Sequence, residues 1–342
     1  MSKEKTVYFL GAGASNGSIF GLPTMEGFFR EDELALDDFS ELREFTETIF
    51  PKILPGKLNL EDVITYLELS IDRFGSFGKR PYGNLYSARQ QFNQYVRRRL
   101  TYESVDDKNW CPRFEKIFRG LGKNDTIITL NYDLVIDHTL EAVAHENSKR
   151  DKFLWRGKLR SLLCPPIYAN GRMGVYVDER EWESGWYLKL HGSIDWCYCP
   201  NPNCLSHQIM NVFSGSSDDG THVCSSCGSS IEMAIVPPTM HKAFGKYPKL
   251  GVIWSIAHQE LIASSSIVFI GVSFRPSDYY LSWLMKSSCL KTKNRVRSVV
   301  VVDKCESAVG RIEQLIGVKL KPDNYYSTLE SYISSMSSRR CG

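Results

Sequence analysis

The sequence predicts an α/β chain, a Rossmann-like parallel sheet that carries a helical insertion and a small metal-binding module. Three observations lead there. A β-prone run, Thr6 to Leu10, passes straight into the glycine pair Gly11 and Gly13. Strand-like and helix-like segments alternate from about Leu250 to Ile316, as in βαβ units. Two cysteine pairs, Cys199 with Cys204 and Cys224 with Cys227, stand in a stretch too polar to fold around a core of its own.

Length and composition set the frame. At 342 residues the chain has room for about two domains, or for one large α/β domain with insertions. Apolar residues at 42% and charged residues at 24% exclude a disordered or collagen-like chain. A net charge of +3 is too small to announce a nucleic-acid partner by composition. The longest apolar runs, such as Ile267 to Val272, fall far short of the roughly 20 residues a membrane helix needs. Lys3 and Lys5 ahead of an apolar run, with Ala12-Gly13-Ala14 behind it, imitate a signal peptide. A strand leading into a phosphate loop explains those residues better, so the expected location is the cytoplasm. There, ten cysteines point to thiols or metal rather than disulfides.

The elements follow in order. After the strand at Thr6 to Leu10, the next buried strand is Thr126 to Leu130, and residues 24–124 between them read as a helical insertion. Leu60, Val63, Ile64, Leu67 and Ile71 recur at helical spacing behind an Asn59 N-cap, with Glu61 and Asp62 in the first turn. A second helix runs from about Leu85 to Leu100. The charge of this insertion is divided. Residues 26–72 carry thirteen acidic and four basic side chains, and residues 73–123 carry twelve basic and four acidic. Two helical faces that attract each other within one subunit account for this. A contact between subunits, or a partner or nucleic-acid surface centred on Arg97-Arg98-Arg99, is the alternative.

A helix at about Leu134 to Ala144 follows, then turn-rich sequence with Pro165-Pro166 and Asn170-Gly171. The strand Trp186 to Leu190 leads into His191, and the cysteine-rich module spans 196–232. Helix 250–263, strand 266–272, helix 279–287, strand 298–303 and helix 306–316 complete a domain over 1–316, leaving 317–342 as a tail.

Polar groups gather where these strands end. Gly11-Ala12-Gly13-Ala14-Ser15 lets backbone approach a pyrophosphate closely, although it is not a full dinucleotide fingerprint. Asn131 and Asp133 follow one buried strand, either as ligand contacts or as a helix cap. His191 follows another, where an imidazole can act as a base near neutral pH. Gly271 and Ser273 end a third, and Asp303 ends a fourth. Cys199, Cys204, Cys224 and Cys227, with nineteen residues between the pairs, fit one tetrahedral structural zinc site. Cys197, His207 and His222 lie near enough in sequence to replace a ligand.

The order of these motifs resembles the sirtuin superfamily, and more closely its divergent bacterial sirtuin-like branch. Gly-Ala-Gly-Ala-Ser at 11–15 is followed by Gly-Leu-Pro at 21–23, Thr-Leu-Asn-Tyr-Asp at 129–133 and Leu-His-Gly-Ser at 190–193. Four cysteines, Gly-Val-Ser at 271–273 and a last strand ending in Asp303 complete it. The resemblance implies an NAD+ domain with a small zinc domain and NAD+ in the cleft between them. By that resemblance Gly11, Ala12, Gly13 and Ser15 hold the pyrophosphate, while Asn131 and Asp133 address the nicotinamide ribose and carboxamide. His191 is the base, and Gly271, Ser273 and Asp303 lie on the adenosine side.

Departures from the family pattern select the reaction. Family deacylases follow their glycine-proline turn with Asp-Phe-Arg, whereas Gly21-Leu22-Pro23 is followed by Thr24-Met25-Glu26, with Phe28, Phe29 and Arg30 further on. The deacylase Phe-Gly-Glu segment also lacks a match, the stretch 235–240 reading Ile-Val-Pro-Pro-Thr-Met. With no acyl group to attack the ribose, water is the expected nucleophile, and the expected activity is NAD+ hydrolysis to nicotinamide and ADP-ribose. Protein deacylation, ADP-ribosyl transfer or a silent NAD+-sensing module are the alternatives. The sirtuin-like branch implies an NAD+-depleting effector of anti-phage defence. Such an enzyme must be silenced, by self-assembly into a homo-oligomer or by a separately encoded ATPase or nucleic-acid sensor.

Overall fold

The computed structural model describes residues 5–25, 27–74, 84–121, 124–148, 159–160, 185–204, 210–212, 223–224, 226–236, 248–275, 278–289 and 296–340. The expected turns at Pro165-Pro166 and Asn170-Gly171, together with His207, His222 and 237–240, lie outside them.

Ten strands are described: β1 (Thr6–Leu10), β2 (Thr126–Thr129), β3 (Leu159–Arg160), β4 (Gly185–Lys189), β5 (Gly192–Tyr198), β6 (Met210–Val212), β7 (Glu232–Ile235), β8 (Ser266–Ile270), β9 (Ser298–Val302) and β10 (Tyr325–Tyr326). The helices are α1 (Ala12–Asn16), α2 (Glu31–Leu34), α3 (Ser40–Ile49), α4 (Leu60–Phe74), α5 (Leu85–Leu100), α6 (Pro112–Phe118), α7 (Val135–Ser148), α8 (Pro248–Ala263), α9 (Tyr279–Cys289), α10 (Ser307–Ile316) and α11 (Leu329–Arg340). Seven strands form a sheet in the order β10-β9-β8-β1-β2-β4-β3, and every pairing in it is parallel.

A parallel sheet is covered on both faces, and the alternation of side chains sorts this one. Val7, Phe9, Ile128, Leu188, Phe269 and Val301 pack on one side with Leu250, Ile253 and Leu261 of α8, Leu284 of α9 and Ile312 of α10. Tyr8, Leu10, Ile127, Tyr187, Ile270 and Val302 pack on the other with Phe114 of α6, Val135 of α7 and Tyr332 of α11. The α/β class and the parallel sheet are thus as the sequence predicts. Residues 317–342, which the sequence leaves as a tail, supply the edge strand β10 and the covering helix α11.

The described residues of 24–124 carry helices and no strand, and have their own apolar centre. Phe28, Phe29, Phe39, Phe45, Val63, Leu67, Phe92 and Tyr95 gather there and reach Tyr132 beyond β2 and Ile194 of β5. The buried Tyr95 hydroxyl accepts the Arg30 amide at 2.8 Å. Two ion pairs join the acidic and basic halves, Arg89 to Glu68 at 2.5 Å and Arg99 to Glu33 at 2.9 Å. The attraction within one subunit is therefore real. Strands β6-β5-β7 form a small antiparallel sheet next to β4. Gly192 makes the corner between the two sheets: its φ is +82° and a Cβ there would lie 1.9 Å from the Ala234 carbonyl oxygen.

Candidate functional site

Strands β2, β4 and β3 lie on one side of β1, while β8, β9 and β10 lie on the other. The direction in which successive strands are added therefore reverses between β1 and β8, and open parallel sheets bind ligands outside the C-terminal ends at that switch point. The glycine loop after β1 and the Gly271 loop after β8 meet there. Gly11 donates its amide to the Ile270 carbonyl and Gly13 to the Gly271 carbonyl, both at 3.0 Å. Gly271 has φ +61°, and a Cβ on it would lie 2.2 Å from the Ala14 nitrogen. The glycines are thus required first by each other, loop against loop. Strand β8 ends at Ile270, two residues short of the expected Val272, because the chain turns at Gly271 to make this contact. Ala12 and Gly13 remain exposed to solvent at the junction.

The neighbouring strand supplies the loop's anchor. The buried Asn131 carboxamide nitrogen donates to the Gly11 carbonyl at 2.9 Å and to the Ser15 hydroxyl at 2.8 Å. Asp133 is buried too, and its Oδ1 accepts the Val135 amide at the start of α7 (3.1 Å). Burial pushes the Asp133 carboxyl above its ordinary value, against the Lys189 ammonium and a Ser15 hydrogen bond, which both pull it down. The cap and the ligand readings of Asp133 are therefore not exclusive, but its carboxylate is already turned inward.

One strand further, His191 sits at the corner between the two sheets. It is 5% exposed, with the Tyr132 and Trp254 rings each 6.2 Å from its centre. Two bonds to backbone carbonyls fix the corner: the Val236 amide donates to the His191 carbonyl at 2.8 Å, and the Trp254 indole donates to the Leu190 carbonyl at 2.8 Å. Its Nε2 lies 3.9 Å from an oxygen of Asp278, which caps α9 by accepting the Leu281 amide.

At the other end of the row, Ser273 is exposed, and the next residue, Phe274, holds a left-handed backbone (φ +45°) while its ring packs on Phe9 and Phe269. Asp303 follows β9, with Oδ1 accepting the Cys305 amide at 2.8 Å and burial raising its carboxyl. Gly11, Gly13, Ser15, Asn131, Asp133 and Gly271 therefore touch one another directly or in sequence. His191 and Asp303 stand on the flanking strands β4 and β9.

Four residues at the site are given no role by the sequence reading, although Lys189, Tyr132 and Asp278 stand in or beside its motifs. Lys189, with its side chain 1% exposed, donates to the Asp133 carbonyl and to Asp137 Oδ2, both at 2.7 Å. A lone cation between Leu188 and Leu190 in an apolar strand is the signal that could have found it, since lysines are buried only when paired. Tyr132 donates its hydroxyl to the Val236 carbonyl at 2.6 Å, tying the β2 exit to the small sheet. Trp254 and Asp278 belong to other helices and carry no local signal. Phe28 and Phe29 are buried in the helical layer, in the cluster that reaches Tyr132 and Ile194, and the exposed Arg30 pairs with Asp32 and Glu33.

The cysteine module closes as its spacing predicts. The Sγ atoms of Cys199, Cys204, Cys224 and Cys227 all lie within 4.8 Å of one another, with Cys199 to Cys227 at 3.5 Å and Cys204 to Cys224 at 3.7 Å. Tetrahedral zinc with ~2.3 Å bonds to sulfur sets its thiolates ~3.8 Å apart, so these four could form a zinc site. Cys197 is not a member of this cluster; it is buried in β5, in register with Asn211 and Met233. No described helix is long and apolar enough to cross a membrane.

No family model and no curated protein matches the chain. Among solved structures it is similar to a Sir2 homologue mutant in complex with ADP-ribose, with 16% identity over 98% of this chain and 94% of that one and a TM-score of 0.43. It is likewise similar to Sir2 with a p53 peptide and NAD+ (15%, 98% and 92%, TM-score 0.43). A Sir2 homologue–NAD complex follows at 16% identity, 92% and 89% coverage and a TM-score of 0.39.

Proposed function

We propose that the chain is a sirtuin-like NAD+ hydrolase that cleaves the nicotinamide–ribose bond to give nicotinamide and ADP-ribose. One observation carries the reading: the motifs that resemble sirtuins fall side by side on the β9, β8, β1, β2 and β4 exits, and the glycine loop among them lies at the switch point. Dinucleotides bind at that place in open parallel sheets.

In this reading Gly11, Ala12, Gly13 and Ser15 cradle the pyrophosphate, with Gly271, Ser273 and Asp303 toward the adenosine. Asn131 holds the loop in register with β2, and Asp133 backs it through Ser15. His191 takes the proton of an attacking water. The water oxygen bonds to the ribose C1′ as the C1′–nitrogen bond breaks, its electron pair leaves with nicotinamide, and the proton passes through His191 to solvent. Asp278 steadies the ring while it is charged. The transition state is oxocarbenium-like, so a positioned ribose and one base suffice. Cys199, Cys204, Cys224 and Cys227 would hold a Zn2+ that orders the module and takes no part in the reaction.

The expected setting is a cytoplasmic NAD+-depleting effector of bacterial anti-phage defence, restrained by self-assembly or by a separately encoded ATPase or nucleic-acid sensor. Product analysis tests the chemistry. The chain, incubated with NAD+ with and without an acetyl-lysine peptide, should release nicotinamide and ADP-ribose in both samples. Acyl-ADP-ribose formed only with peptide would make it a deacylase instead.

A further inference from the structure

The solvent face of α4 is its own complement. Its core face is formed by Leu60, Val63, Ile64 and Leu67, all buried in the helical layer. On the opposite side Asp62, Tyr66, Leu69 and Arg73 are exposed at steps of four, three and four residues, which is a single stripe along the helix. Surface helices normally carry polar residues there. Here the centre is apolar, with Tyr66 and Leu69 each 50% exposed. The helix dipole accounts for an acid in the first turn and a base in the last, but not for the tyrosine and leucine between them. Ile53 and Leu54, 46% and 69% exposed in the loop before α4, add to the apolar surface. Phe50 connects them to it by packing edge-on against Tyr66 at 5.4 Å.

We propose that this stripe is a dimer contact between two copies of the chain, with their α4 helices antiparallel across a two-fold axis that passes between Tyr66 and Leu69. The sequence numbers fix the register. The midpoint of 62 and 73 is also the midpoint of 66 and 69, so one axis pairs Asp62 with the partner's Arg73 and Tyr66 with the partner's Leu69. The contact has an apolar centre and two ion pairs at its rim, the anatomy of a protein interface, and each residue is used twice as a two-fold requires. No residue of the switch-point crevice takes part, so the proposal stands or falls separately from the NAD+ reading.

Sedimentation velocity on the full chain over a range of micromolar concentrations tests it, with melting curves to confirm folding. The wild type should dimerise. Asp62→Arg and Arg73→Asp should each raise the dissociation constant at least about tenfold by setting like charges opposite each other, and the double reversal should restore it. Leu69→Gln should weaken the dimer without charge reversal and serves if a reversal variant does not fold. A wild type that stays monomeric, or a dimer that neither single reversal nor Leu69→Gln weakens, would overturn the proposal. A double reversal that remains dissociated would overturn the register.

Discussion

The Lys189 ammonium lies 2.7 Å from the Asp137 carboxylate, with the lysine side chain almost wholly enclosed between β4 and α7. Its other bond is to the Asp133 carbonyl, also at 2.7 Å, and Asp137 takes a second partner in the Tyr187 hydroxyl at 2.9 Å. This network stiffens the end of β4 directly before His191. Removing the lysine should cost about 3 kcal/mol, the low end for breaking a buried ion pair, because Asp137 is 22% exposed and keeps the Tyr187 hydroxyl. Lys189→Met should therefore lower the denaturation free energy by roughly that amount, and adding Asp137→Asn should recover a large part of it. Urea melts of the three proteins check this; additive losses would mean that the two residues act separately.

Gly271 and Gly21 make a controlled comparison. Both have left-handed backbone, φ +61° and +56°, but a Cβ on Gly21 meets nothing within 4 Å while one on Gly271 strikes the Ala14 nitrogen. Gly21→Ala should cost about 1 kcal/mol from backbone conformation alone. Gly271→Ala should cost at least ~2 kcal/mol more, because two backbones must part. Equal melting temperatures for the two variants would contradict the loop–loop contact.

Asp133 sets a pH dependence whose sign follows from burial. Its native pKa is raised, so between the unfolded and native values the native state binds more protons, and this residue's contribution to stability falls as pH rises. The slope within that window is about 1.4 kcal/mol per pH unit. Asp133→Asn keeps an acceptor for the Val135 amide and removes the titration. The stability of the variant relative to wild type should therefore increase as pH rises above the ordinary carboxyl range, and a difference that is flat from pH 4 to 8 would contradict it.

The zinc reading predicts one metal per chain by elemental analysis. Cys204→Ser or Cys224→Ser should lose it and unfold the module, since a polar segment of this kind gains its order from the metal. Cys197→Ser should keep the full metal content, because Cys197 belongs to β5.

Much of this was legible in the sequence because burial writes itself into composition. Thr126 to Thr129 and Ser298 to Val302 are short apolar runs of the kind a two-faced parallel sheet requires, and both are strands. Cysteine spacing is equally local. The edge strand Tyr325–Tyr326 has only two residues, and α11 beside it is rich in serine, so neither shows periodicity. The glycines were legible as special, but not their first partner: that Gly13 answers to Gly271 depends on β1 and β8 being neighbours, which no local pattern states. Lys189 was hidden by a general expectation that cations face water, and Trp254 and Asp278 by their distance along the chain from His191.

The central claim is that the crevice at the β1–β8 switch point binds NAD+ and that His191 acts on it there. The most direct measurement sets NAD+ affinity, by calorimetry, beside nicotinamide release for the wild type, His191→Ala and Asn131→Ala. Base removal should leave NAD+ binding nearly unchanged in His191→Ala while release falls about 10²–10⁴-fold. Asn131→Ala, which frees the glycine loop from β2, should weaken binding and turnover together. Wild-type release rates in both variants would contradict the account.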